Sequence, residues 1–381
     1  MATGTRTTYT QTDNIKRGIA GLIQMIDWKE APLVKLLGIN NAGKFGIENM
    51  GTKYEWQEDT MAPTSDQLAE ALDNSETGVD VDNGAYFNTG NVIRVDDELM
   101  YVVSVASNTL TVTRGFAGTT AVTHLDDAPV VVATSAAIEG ADFVTGYTTT
   151  TTLPYNYTQI LSKAVRVTGS EQVNPKYGVS DTLAREIAKL IGGSDGMGSR
   201  GTAGTLVQHL ERTFWHGQRY VGTSAASRMM GGFNYFVTTN VANKAAAVLT
   251  RKDIEDKIRS IFEAGGSPTH IICDAHAMQK ITGFYEKYIT MTQSEERGGA
   301  VITKVLTPFG EVEVVYSKWG PAGELSIIDK DKLGWVELRP FNVYERASVG
   351  DYMVKDVLGE YGFVVKNEKA HARIYGYSTS A

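Results

Sequence analysis

His270, Cys273 and His276 fall at three-residue spacing, and imidazole with thiolate is good zinc chemistry. Their positions argue against a metal. An extended stretch from Thr269 to Cys273 puts His270 and Cys273 on opposite faces, His276 falls on the helix that follows, and no fourth ligand lies nearby in sequence. A buried thiol and two satisfied histidines are expected instead. His209 and His216, beside Phe214 and Trp215, read as packing on a helix. Gly38-Ile39-Asn40-Asn41-Ala42-Gly43-Lys44-Phe45 nearly spells a phosphate loop, after an apolar run from Leu33 to Leu37 that could be a strand. Phe45, however, stands where a hydroxyl for Mg²⁺ is required, and Gly46 to Gly51 does not continue as a helix able to hold phosphate at its N-terminus. Asp80, Asp82 and Asn83-Gly84 hint at a calcium loop, but the spacing is wrong and the closing glutamate is missing. No serine sits in a Gly-x-Ser-x-Gly elbow. The chain is expected to carry no catalytic residue, no metal and no cofactor.

Composition narrows the function classes further. With 381 residues, 42% of them hydrophobic, the chain is folded and large enough for two or three structural units. Its one cysteine, Cys273, excludes an internal disulfide and points to folding inside a cell. The start, Met1 to Thr10, lacks the basic and apolar parts of a signal peptide, and no apolar run approaches the roughly 20 residues of a membrane span. A net charge of −8 disfavours a duplex-gripping surface, because such affinity rests on lysine and arginine neutralising phosphates. Nucleic acid nearby would be contained, not gripped.

The elements that must position these residues follow from pattern and punctuation. Ile15, Ile19, Leu22, Ile23 and Ile26 fall at helical spacing behind a Thr12-Asp13-Asn14 cap, giving a short amphipathic helix that ends near Trp28. Ala31 to Gly38 stops it as a compact apolar anchor. Thr52 to Asp59, with Tyr54 and Trp56 alternating against polar neighbours, reads as a strand. Residues 76–133 form a small inserted β module: Val92 to Val95, Leu99 to Val105 and Thr109 to Thr113 are strands between turns at Asp82-Asn83-Gly84, Thr89-Gly90-Asn91 and Ser107-Asn108. Ser180 and Asp181 cap a helix with Leu183, Ile187, Leu190 and Ile191 on one face. A second helix carries Leu206, Val207, Leu210 and Phe214, and the glycine-rich stretch 192–204 makes the pair read as one long helix interrupted by a surface loop. Thr250 with Asp253 caps the next helix, Thr269 to Cys273 is a strand, and Asp274 caps another helix through Met278, Ile281 and Phe284. Val301 to Leu306, Val312 to Tyr316, Leu325 to Ile328, Gly362 to Val365 and Ala372 to Tyr377 are extended. This order of elements is mixed α+β.

The run from Thr148 to Val167 is too long for an ordinary strand. Beyond Pro154, odd positions Tyr155, Tyr157, Leu161, Val165 and Val167 make a mostly apolar face, and even positions a mostly polar one. About fourteen extended residues at roughly 3.3 Å each reach roughly 45 Å. Such an arm needs a surface to lie on. Thr52 to Asp59 is a candidate partner; the rest of the run either lies on a surface beyond its own domain or forms, with the first part, two successive strands of one sandwich broken at Pro154.

Read in order, the chain resembles the major capsid proteins of tailed bacteriophages, most closely the branch typified by Salmonella-type phage major head proteins. The matching residues are Ala31-Pro32-Leu33 with Leu36-Leu37-Gly38; Tyr54-Glu55-Trp56-Gln57-Glu58-Asp59; Asn156-Tyr157-Thr158-Gln159-Ile160; Arg228-Met229-Met230-Gly231-Gly232; Gly265-Gly266-Ser267-Pro268; and Gly350-Asp351, Lys355, Glu360 and Asn367 to Ala370. The resemblance implies the Hong Kong 97-type fold. Its parts would be an N-terminal arm and anchor (1–45), an extended loop (46–75 and 134–170) carrying the inserted β module (76–133), a peripheral domain with an interrupted spine helix (171–225), an axial domain (226–340) and a C-terminal return to the peripheral domain (341–381). The implied function is a structural one, self-assembly into an icosahedral or prolate head that encloses double-stranded DNA. Assembly contacts are expected at Ile15, Ile19, Leu22, Trp28, Tyr54, Trp56, Tyr155, Tyr157, Leu161 and Val165. Implied partners are further copies as hexamers and pentamers, a portal protein, and scaffolding and decoration proteins where used, with no sequence-specific DNA binding and no membrane. The implied place is the virion, assembled in the host bacterial cytoplasm. A non-viral, encapsulin-like compartment shell is the alternative, and a small-ligand enzyme a more distant one.

Overall fold

The computed structural model describes residues 31–38, 51–59, 63–135, 139–140, 150–176, 181–191, 204–285, 304–320 and 322–379. The expectations for Ile15, Ile19, Leu22, Trp28, residues 39–45, Thr148 to Thr149 and the glycine stretch 192–203 lie outside these residues. The chain divides into two compact units, a body of 1–56 with 155–381 and a module of 57–154.

The strands in chain order are β1 Lys53–Glu55, β2 Ser65–Gln67, β3 Gly78–Asp80, β4 Asn91–Val95, β5 Glu98–Ala106, β6 Thr109–Thr113, β7 Pro129–Ser135, β8 Tyr155–Tyr157, β9 Gln159–Thr168, β10 Val241–Asn243, β11 His270–Cys273, β12 Lys304–Thr307, β13 Gly310–Tyr316, β14 Glu324–Ile328, β15 Leu333–Arg346, β16 Tyr352–Val365 and β17 Ala372–Tyr375. The helices are α1 Pro32–Leu37, α2 Gly169–Val173, α3 Thr182–Ile191, α4 Thr205–His216, α5 Phe233–Phe236, α6 Arg251–Glu263 and α7 Ala275–Tyr285.

In the body, β9 alternates as its sequence requires: Leu161, Val165 and Val167 turn inward, Ser162, Ala164 and Arg166 outward. Its partner overturns the expectation of a neighbouring subunit. β9 pairs antiparallel with β16 from Gln159↔Tyr361 to Thr168↔Tyr352, and β16 pairs with β15 in a three-stranded sheet. The expected pairing with Thr52 to Asp59 holds at β8, which meets β1 through Lys53↔Tyr157, Tyr54↔Asn156 and Glu55↔Tyr155, with a further bridge at Glu58↔Thr152. The ladder of β15, an edge strand of this sheet, slips between Glu337 and Asn342, around Pro340, which has no N–H to give and is tolerated at such an edge. Beneath the sheet Leu206, Val207, Leu210 and Phe214 of α4 fill the core with Trp335 and Phe363, and Leu183 of α3 packs on Val165 and Val167.

A second core lies under the six-stranded sheet β10-β17-β14-β11-β13-β12. Helix α6 starts in a reciprocal capping box between Thr250 and Asp253 and buries Ile254, Ile258 and Ile261. The final segment does not return as one piece: β16 stays in the three-stranded sheet, whereas β17 enters the six-stranded one between β10 and β14. The run Leu33 to Leu37 is a helix, not a strand, opened by Pro32 in its first turn and closed by Gly38 at φ 61°.

The module is an antiparallel sheet of order β2-β7-β4-β5-β6-β3 around Val79, Ile93, Val95, Met100, Leu110, Val112 and Val130. It begins earlier than residue 76, because Ser65↔Val131 to Gln67↔Pro129 pair β2 with β7. Two-residue turns join β4 to β5 at Asp96-Asp97 and β5 to β6 at Ser107-Asn108, with φ of 51° at Asp96 and 56° at Ser107. Gly84 lies so close to the second turn that an added Cβ would sit 1.9 Å from the Ser107 carbonyl oxygen. Glu98 is buried at the centre of a charged hub: Arg114 Nε and Nη2 donate to its two oxygens at 2.7 and 2.8 Å, and the Gly115 and Val122 N–H groups donate at 3.0 Å each. His124 Nε2 lies 3.1 Å from Glu98 and its Nδ1 2.7 Å from Asp96. Burial opposes charge on Glu98, but Arg114, the two N–H groups and His124 outweigh it and hold the carboxyl at about 2.

Candidate assembly surface

Three polar anchors in the body set the geometry of the segment that runs through β8 into β9. The first is Asn156, fully buried. Its Nδ2 donates to the carbonyls of Gly231 (2.9 Å) and Phe363 (2.8 Å), and its Oδ1 accepts from the Gly231 and Tyr157 N–H groups at 2.8 Å each. Tyr54 Oη donates to the same Phe363 carbonyl at 2.8 Å, and its ring lies so close over Gly362 that an added Cβ would come within 2.4 Å of the hydroxyl oxygen. Tyr54 and Trp56 thereby pack on Val336 and Val364 inside the body.

The second anchor is Glu360. Its Oε1 accepts from Thr158 Oγ1 at 2.7 Å and from Arg228 Nη2, and its Oε2 accepts from Arg339 Nε and Nη2 at 3.0 and 2.8 Å. Burial raises the carboxyl, but the hydroxyl and two guanidinium groups outweigh it and hold it below its usual range. The third is Glu211 on α4, fully buried, which reaches the start of α1: Leu33 N–H and Val34 N–H donate to its two oxygens at 3.0 and 2.7 Å, and Trp215 Nε1 donates at 3.1 Å. α1 has no side-chain cap of its own, so this carboxylate satisfies two donors that the helix leaves open. Burial pushes Glu211 up to about 7 against the pull of those donors.

Beside this framework the body leaves apolar side chains in water. Ile160 on the outer face of β9 is 47% exposed, and Tyr220 and Val221 on the facing strand turn are 44% and 58% exposed. Between them runs a groove of about 500 Å³ lined by Ile160, Ser162, Val221, Thr223 and Arg228. At its side Tyr155 is clasped by two cations, Arg219 at 3.9 Å and Lys53 at 4.4 Å from the ring centroid, and meets Tyr157 edge-on at 5.9 Å.

A sequence profile of the SU10 major capsid protein family matches residues 1–378. The chain belongs to that family. Its α+β fold is the Hong Kong 97-type capsid fold with a β module inserted in the extended loop. Among solved structures it is similar to the cyanophage A-1(L) capsid subunit at 10% identity and TM-score 0.54, covering 98% of this chain and 100% of that one. The capsid of a native GTA particle gives 10% identity, TM-score 0.53 and the same coverage, and a chain of Mycobacterium phage Cain 9% identity, TM-score 0.50 and coverage of 99% and 100%. No curated protein sequence matches. The protein is a structural, shell-forming major capsid protein of phage type.

Within this capsid protein the residues that suggested chemistry stay apart. His270 pairs with Thr269 Oγ1 at 2.8 Å, His276 stacks on Tyr377 at 6.3 Å, and Cys273 is buried with its thiol pushed up to about 12. Among the described residues no group of three or more histidine, cysteine, aspartate or glutamate side chains could hold a metal ion, and no helix is long and apolar enough to cross a membrane. Of the described residues expected at assembly contacts, Tyr54, Trp56, Leu161 and Val165 are committed to the body's own packing, while Tyr155 and Tyr157 keep part of their rings in solvent. Sequence reasoning missed Glu211, Glu360 and the Glu98 hub. Glu211 had a legible signal: it stands four residues from both Val207 and Trp215, on the stripe that α4 buries.

Proposed function

We propose that this capsid protein closes, with copies of itself arranged as hexamers and pentamers, into an icosahedral or prolate head around double-stranded DNA. The whole-length family match carries this reading. Tyr155, Tyr157 and the groove beside Ile160 are the surfaces offered to neighbouring subunits, and the segment bearing Ile15, Ile19, Leu22 and Trp28 is the arm that reaches across. Tyr54, Trp56, Leu161 and Val165 act from beneath, by holding that surface in shape. The chain does no catalysis. Its partners are a portal protein and, where the head needs them, scaffolding and decoration proteins, and assembly takes place in the host bacterial cytoplasm.

Interfaces of obligate assemblies commonly bury roughly 2,000 Å² or more, so many weak contacts repeated around a shell suffice without one strong site. Electron microscopy of the purified chain tests the reading: closed shells of uniform size support it, and a compact monomer that never assembles, with or without co-expressed head proteins, overturns it. Ile160→Asp places a charge in the groove. The expected result is loss of shells with an unchanged unfolding midpoint of the free subunit, and normal shells would remove the groove from the interface.

A further inference from the structure

Charge is partitioned between the two units. The module, 57–154, holds 15 of the 44 carboxylates and two of the 36 lysines and arginines, hence −13; the whole chain carries −8, which leaves +5 for the body. No lysine falls in the module. Arg114 is spent on Glu98 and on the carbonyls of Asp73, Glu76 and Val122, and Arg94 on the Asp96 carbonyl and the Asp97 carboxylate. The single histidine, His124, is buried between Asp96 and Glu98. Every cation of the module is therefore turned on the module's own acids. Like charges crowd elsewhere on it: Asp80 and then Glu76 hold the Glu70 carboxyl above its usual range.

Such a unit has little to offer a phosphate. DNA affinity comes from lysine and arginine displacing condensed counterions, and the module has for that exchange only Arg94, exposed and paired with Asp97, against 15 carboxylates. Packed DNA within about 8 Å, the screening length at physiological salt, would meet a surface of its own sign. The body, with its positive balance, is the unit suited to line a DNA-filled space. Resting on the shell function proposed above, we propose that the inserted module lies on the outer face of the head, away from the genome. Any partner it accepts there carries positive charge.

The buried Cys273 makes a clean experiment possible, because the native chain presents no reactive thiol among its described residues. Leu125→Cys and Asn74→Cys place a thiol at exposed positions in two separate turns of the module. DNA-filled particles of each variant are treated with a maleimide on a polymer too bulky to pass an intact shell. Labelling of either variant in intact particles, at the rate seen after the particles are opened, supports an outward module. Labelling of both only after opening overturns it. If the native chain forms no shells at all, the shell reading falls and the orientation falls with it, a result distinct from shells that exclude the label.

Discussion

Glu98 of the module and Glu211 of the body are both sealed from water, yet one carboxyl is held at about 2 and the other at about 7. The difference lies in what each faces. Glu98 meets a guanidinium fork, so its charge is answered by charge. Glu211 meets two backbone N–H groups and an indole, partial charges that stabilise an anion less than full ones do. In the module a buried acid ties three elements together by ionic bonds, whereas in the body a buried acid acts as a borrowed cap for a six-residue helix.

The comparison can be broken first at Glu98. Glu98→Gln leaves Arg114 buried without its counter-charge, and breaking such a pair costs about 3–5 kcal/mol. Urea unfolding of the unassembled subunit should show that loss, and an unchanged midpoint would mean the hub is not ionic. Next comes pH. A carboxyl whose folded value is raised to about 7 from an unfolded value near 4.3 contributes stability that is full below about 4.3 and lost as pH rises through 7, roughly 3 kcal/mol for Glu211. Glu324, raised to about 7 by burial despite Arg373, adds to the same window. Glu211→Gln should therefore make subunit stability fall less, or rise more, between pH 5 and pH 8, by roughly the same 3 kcal/mol, against the opposite slope set by the buried His371, whose pKa is lowered to about 4. Glu98 behaves oppositely, contributing stability above about 4.3 that is lost as pH falls towards 2. A smaller effect is expected at Gly362→Ala, where the new methyl would meet Tyr54: about 1–3 kcal/mol, read as a lower unfolding midpoint. Arg94→Ala, which removes an exposed pair with Asp97, should change stability by no more than about 0.5 kcal/mol, and a larger loss would show that exposed ion pairs also matter in the module.

What could be read from the sequence was local. The capping box of α6, the start of α7 at Asp274 and the turns of the module depend on residues within a few positions of one another, and each stands where the pattern put it. The inward and outward faces of β9 were equally legible, since alternation needs no knowledge of a partner. The partner itself was not. β16 pairs with β9 across Tyr352↔Thr168, far apart along the chain, and Gly359 and Gly362 interrupt the alternation that would have announced a fourteen-residue strand. For the same reason Tyr155 and Tyr157 were placed correctly against Lys53 to Glu55, while the surface under Leu161 and Val165 was assigned to another molecule. The charged anchors were hidden by their rarity inside cores: Glu360 gathers Thr158, Arg228 and Arg339 from three segments that only the fold brings together.

Where β1 and β8 lie side by side, the chain leaves the body and returns to it at neighbouring points. That makes residues 57–154 a cassette. Any domain whose own ends are close together can be spliced between Trp56 and Tyr155 at the modest entropy of closing one more loop, leaving the ladder through Tyr54 and Asn156 untouched. The same splice point would let an engineer mount an antigen or an enzyme once per subunit across a particle.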